Sequence, residues 1–168
     1  MLPLFGVPFD VPDVRQYDFV VSADFTPPQR AALERALEEW RAALPEARLT
    51  VLPSGVPCDP MTETSERHKL VCVAPVTPDE MIVAADANPN VMGLTRIARY
   101  DAQAPILVTI NVDVLTDAQQ TACEAHEIGH AMGLEHTHKP GTLMYPSMDR
   151  GATGPTPRDV ADWRAIRR

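Results

Sequence analysis

The chain has 168 residues, 45% of them hydrophobic, which is enough for one compact domain with its own core and too few for two. Its 15 basic residues against 23 acidic ones, a formal charge of -8, argue against a nucleic-acid surface, because phosphate binding draws its affinity from clustered Lys and Arg. No run approaches the roughly 20 apolar residues that cross a bilayer, and the opening MLPLFGVPFDVPD has neither a basic start nor a sustained apolar stretch, so the chain reads as soluble and without a signal peptide.

In chain order, residues 1–16 are rich in Pro and predict an extended arm, after which Tyr17 to Ser22 (YDFVVS) reads as a short strand. Pro27 and Pro28 suit the first turn of a helix. From Gln29 to Leu44 the chain places Ala32, Leu33, Ala36, Leu37, Trp40 and Leu44 on one stripe at helical spacing, and Pro45 ends it. Leu49 to Leu52 (LTVL) and Leu70 to Ala74 (LVCVA) predict strands of one sheet on either side of a polar, Pro-containing loop. Asp79 to Ala85 suggests one short helical turn, Met92 to Ala98 a weaker strand, and Ile106 to Val112 (ILVTINV), the strongest apolar run, a buried strand.

The three cysteines are too few for a disulfide framework, and their spacing matches no four-ligand structural zinc site. Cys58 and Cys72 are candidates for a pair across the polar loop, which leaves Cys123 as a small buried residue of an apolar helix. That helix is announced by Thr116 with Gln119 three residues on, a capping-box pattern, so it should begin at Asp117 and run through HEIGHAMG to a stop at Gly133. Leu134 to Pro157 reads as loop with two Gly-containing turns, and RDVADWRAIRR as a closing helix.

The chemistry is concentrated in HEIGHAMGLEH, from His126 to His136. Side chains four apart on a helix lie one above the other, so His126 and His130 present both imidazoles to one point, as two ligands of one metal must. Glu127, one residue after the first of them, can flank the metal without binding it and is free to deprotonate a metal-bound water. A third ligand requires the chain to leave the helix and turn back. Gly133, with no Cβ, permits that turn, and His136 can then approach from another direction. Three imidazoles leave a fourth position open, the mark of a catalytic rather than a structural zinc, and three nitrogens without a sulfur cluster select zinc. A bare HExxH occurs by chance; the helix-stopping Gly and the third His are what make it a metal site.

HEIGHAMGLEH fits the HExxHxxGxxH signature of the metzincin clan of metallopeptidases, and the chain resembles the matrixin-like group within it. The following GTLMYP fits the loop in which a methionine, here Met144, forms a floor beneath the metal histidines without binding the metal. TPRDVADWRAI is similar to the start of the matrixin C-terminal helix, where an acidic residue braces that loop, so Asp159 is the counterpart. The resemblance implies a metzincin fold. That fold is an α/β sandwich-like domain with a twisted five-stranded mixed sheet, one antiparallel edge, two long helices, and a small irregular C-terminal subdomain with a short closing helix. One catalytic domain would fill residues 1–168, with the arm at 1–16, an upper subdomain at 17–133 and a lower one at 134–168.

Further residues follow from the resemblance. The edge strand would hold an extended peptide at Gly93, Leu94 and Thr95, and Pro146, Ser147 and Met148 would wall the pocket for the residue after the scissile bond. Relatives that use a tyrosine as an extra ligand place it two positions after the methionine; here that position is Pro146, so Tyr145 is a wall or packing residue. Matrixins usually have tyrosine where Met148 stands. No histidine-rich segment precedes the motif helix, where His68 stands alone, so neither a second, structural zinc nor a structural calcium is indicated. The arm lacks the cysteine with which matrixin propeptides block the metal; a plain extended arm is the reading taken, with Asp10 or Asp13 over the zinc as the alternative. His138, two residues past His136, is the rival ligand and reads as an exposed loop residue.

The expectation is therefore a zinc metalloendopeptidase, monomeric, acting on protein or peptide with no nucleic-acid or membrane partner. The resemblance favours secretion. The rival functions are a non-catalytic zinc-bearing binding module of the same fold, and a zinc hydrolase of a non-peptide amide.

Overall fold

Tyr17 and Phe19 alternate with more open neighbours along the first strand, β1 (Gln16–Val21), and both are buried. This computed structural model describes residues 15–58, 68–85, 90–98 and 104–167. Residues 1–14 of the expected arm, with Asp10 and Asp13, lie outside them.

Thr26 opens α1 (Pro27–Ala43), where Gln29 Oε1 accepts from the Thr26 backbone N–H at 2.9 Å and the two prolines occupy positions whose N–H groups need no helical partner. The predicted stripe is the buried face: Ala32, Leu33, Ala36, Leu37, Trp40 and Leu44 are all at most 1% exposed. Then follow β2 (Arg48–Val51), β3 (His68–Val76), a seven-residue helix α2 (Pro78–Ala84) capped by Thr77, β4 (Gly93–Arg96) and β5 (Ile106–Asn111). After one 3-10 turn, Thr116 caps α3 (Asp117–Ala131) and Thr156 caps α4 (Pro157–Ala165).

The sheet order is β2-β1-β3-β5-β4, parallel throughout except for β4, which runs antiparallel to β5 with Gly93 opposite Ile110 and Arg96 opposite Leu107. This is the expected mixed sheet with an antiparallel edge. α1 and α3 pack on each other and over the sheet, and one apolar cluster from Tyr17 to Trp163 joins sheet, helices and the C-terminal segment. Trp40 Nε1 donates to the Ala125 carbonyl at 2.8 Å, so α1 is fastened to α3 one residue before the motif begins.

Cys58 and Cys72 form a disulfide that ties the segment after β2 to β3, and Cys123 is free and buried. No helix among the described residues is long and apolar enough to cross a membrane.

Candidate metal centre and active site

α3 carries His126 and His130 one turn apart, and its end determines where the third histidine arrives. Gly133 has φ 88°, a conformation that a side chain disfavours. Around it the Gly133 N–H donates to the His130 carbonyl at 2.9 Å and the Leu134 N–H to the Gly129 carbonyl at 3.0 Å, the paired bonds of a Schellman stop. The chain then reverses, and its return is fastened by a bond from the Thr137 N–H to the Met144 carbonyl at 2.8 Å. His136 is thereby brought back over the helix.

The three imidazoles meet. His136 Nε2 lies 3.1 Å from His126 Nε2 and 3.2 Å from His130 Nε2. Each helical histidine turns its other nitrogen to a carbonyl, His126 Nδ1 to Leu143 at 2.7 Å and His130 Nδ1 to Leu134 at 2.7 Å. A carbonyl only accepts, so both Nδ1 atoms carry the proton and both Nε2 lone pairs face inward. Burial holds both helical histidines below the usual histidine range, His130 down to about 4, where the neighbouring His126 adds to the effect; burial lowers His136 as well. The inward lone pairs of His126 and His130 converge with His136 Nε2 on one point, an arrangement that suits a shared cation. Nitrogens around a tetrahedral zinc stand about 3.3 Å apart, close to the spacing seen, so the donor set fits that ion.

The methionine turn is equally specific. Met144 is fully buried, and a Cβ placed on Gly129 would stand 2.5 Å from its Sδ and 3.2 Å from Trp40 Cζ2. The glycine between the two helical histidines thus leaves the room that the methionine fills. Asp159, itself fully buried, holds the methionine turn from below: Oδ2 accepts from the Leu143 N–H at 3.1 Å and Oδ1 from the Met144 N–H at 3.2 Å, while Oδ2 also accepts from the Thr156 N–H at 2.8 Å. One carboxylate caps α4 and orders the loop that in turn holds His126.

Glu127 points toward β4. Its Oε2 accepts from Thr95 Oγ1 at 2.6 Å, and burial pushes its carboxyl up to about 7 against the lowering effect of that bond. Gly93 packs against the same side chain, and Leu94 is half-buried on the same strand. Pro146 and Met148 are exposed beyond the methionine turn, Ser147 donates to Asp149, and Tyr145 is half-buried with the Arg150 guanidinium 5.5 Å from its ring centre. His138 is exposed and outside the histidine cluster.

The family model for matrixin peptidases matches residues 25–168, most of the chain. The chain belongs to the matrixin family. It is a zinc metallopeptidase of the metzincin clan, with the three histidines in place and Glu127 beside them. Among solved structures, this matrixin is similar to archaemetzincin from Methanopyrus kandleri at 16% identity, over 92% of this chain and 96% of that one, with a TM-score of 0.55. At that identity the likeness concerns the fold. No curated protein matches the chain in sequence.

Sequence reasoning missed three participants and one bond. The Leu134 and Leu143 carbonyls leave no trace in residue type. Gly129 had a signal, since a glycine inside a helix usually answers a packing need. The bond from Thr95 to Glu127 joins residues 32 apart, and nothing local announces it.

Proposed function

We propose that this matrixin is an endopeptidase in which His126, His130 and His136 hold one zinc ion and Glu127 is the general base. A zinc held there supplies a Lewis acid that polarises the substrate carbonyl and makes water a nucleophile near neutral pH. Everything else falls to the chain. Glu127 takes a proton as water adds to the carbonyl carbon and returns it to the departing amine nitrogen as the C–N bond breaks. A carboxyl beside the ligands and held by Thr95 is placed to accept that proton and to return it. The Nδ1 bonds to Leu143 and Leu134 orient the two helical ligands and fix their tautomer.

The second edge of β4, from Gly93 through Leu94 and Thr95, accepts an extended peptide as a further strand, since among the described residues β5 alone pairs with it and occupies only one of its two edges. Pro146 and Met148 border the pocket for the residue after the scissile bond, and Tyr145 supports that wall. The substrate is protein or peptide and the working unit is a monomer. The Cys58–Cys72 disulfide supports a life in an oxidising compartment.

The convergence of three Nε2 atoms from two directions carries this reading. Glu127→Gln tests it: the variant should bind zinc as the parent does and lose casein hydrolysis by about 100-fold or more. Parental turnover in that variant means that the base lies elsewhere.

A further inference from the structure

β4 presents two different surfaces. Its residues alternate, so Gly93 and Thr95 face α3 while Leu94 and Arg96 face the other way, and among the described residues only β5 pairs with it, along one of its two edges. The inward pair closes on one side chain. Thr95 Oγ1 lies 2.6 Å from Glu127 Oε2 and 3.0 Å from the Glu127 carbonyl, so the hydroxyl reaches both the carboxyl and the helix backbone that carries it. At Gly93 a Cβ would stand 2.7 Å from both Cγ and Oε1 of Glu127 and 2.9 Å from Cys123 Sγ. The glycine leaves room for the carboxyl, and the threonine holds it in that room.

We infer that Gly93 and Thr95 are positioning residues for the base, so that β4 both registers the substrate along its edge and fixes, through its inward face, where Glu127 stands relative to the scissile bond. This rests on Glu127 being the base. Glu127 is only 5% exposed, and a buried carboxylate with one donor removed has little water to replace it. Its side chain still has rotatable torsions, and in the absence of the Thr95 bond it would sample rotamers that face away from the substrate. Because β4 carries both contacts, a peptide that pairs with the strand meets a base already fixed to that strand.

The inference separates two uses of one element. Substrate affinity comes from the backbone edge, which a change in the Thr95 side chain leaves intact. The hydroxyl serves the chemical step, and its loss acts through Glu127, at the carboxyl and at the backbone carbonyl of that residue. The expected signature is a fall in kcat with little change in KM.

Thr95→Val, Thr95→Ala and Thr95→Ser, compared with the parent and Glu127→Gln as zinc-loaded proteins, test it on one peptide substrate. Zinc affinity and thermal melting are measured beside the kinetics. Val and Ala should lower kcat about 10-fold to 100-fold, the worth of a charge-assisted hydrogen bond, with KM within about twofold and zinc affinity unchanged. Ser should restore most of kcat. Two replacements of different size keep the answer available if one of them fails to fold. Parental kcat in either Val or Ala, or an equal loss in Ser, overturns the positioning role. Full activity in Glu127→Gln instead overturns the choice of base, and the two failures are thereby told apart.

Discussion

Two glutamates of α3, three residues apart, have their carboxyls raised by the same cause and are put to different ends. Glu127 faces β4 and keeps a donor in Thr95. Glu124 faces α1, fully buried; its Oε1 accepts from Gln120 Nε2 at 2.8 Å, while its Oε2 has no hydrogen-bond partner among the described residues. Burial pushes Glu124 up to about 8, against the lowering effects of Gln120 and Arg35. An unfolded glutamate ionises near pH 4.3, so between there and about 8 the folded chain keeps a proton that the unfolded chain has released. Stability therefore declines as pH rises across that window, on the order of a few kcal/mol by its upper end. Glu124→Gln, which keeps the shape and removes the charge, should flatten the decline and raise stability at pH 8 in urea melts. A slope equal to the parent's means that this carboxyl ionises as readily folded as unfolded.

At the scale of elements, the turn at the end of α3 is the part on which the metal site depends most. Gly133 at φ 88° allows the reversal, and the Schellman bonds lock it. Gly133→Ala forces a Cβ into the left-handed region, at about 1 kcal/mol or more, and strains the approach of His136. The variant should melt lower and bind zinc more weakly than the parent; parental zinc affinity would mean that the loop, not the turn, places His136. This turn was legible in the sequence because its cause is local, a single glycine after a capped helix. The stripe of α1 and the capping pair Thr116 and Gln119 were legible for the same reason. Element ends were less so: β3 runs from His68 to Val76, further each way than Leu70 to Ala74, because its length is set by pairing with β1 and β5 rather than by its own apolar run. Asp159 illustrates both cases. Its capping bond to Thr156 is a local Thr-x-x-Asp pattern that the sequence reading did not use, whereas its hold on the Leu143 and Met144 amides depends on how α4 packs beneath the turn and was expected from the family resemblance alone. Thr95 was expected only as part of the substrate edge; its bond to Glu127 lay beyond reach, since that partner depends on the register of β4 with β5 and on where α3 crosses them.

For the whole molecule, the sheet, the two long helices and the C-terminal segment share one apolar cluster, so the metal ligands on α3 and the methionine turn beneath them are parts of one packed body. Such a body gives His126 and His130 a common rigid support. Preorganisation of this kind favours tight, stoichiometric binding, because little chain entropy remains to be lost at the site. The account as a whole stands on one ion making the chain a peptidase. Stripped protein titrated with zinc, with casein cleavage followed at each addition, tests that directly. The account predicts negligible cleavage before zinc, a rise that levels at one equivalent, and loss on adding a chelator. Cleavage that persists in chelator, or protein that stays inert after one equivalent is bound, would contradict it.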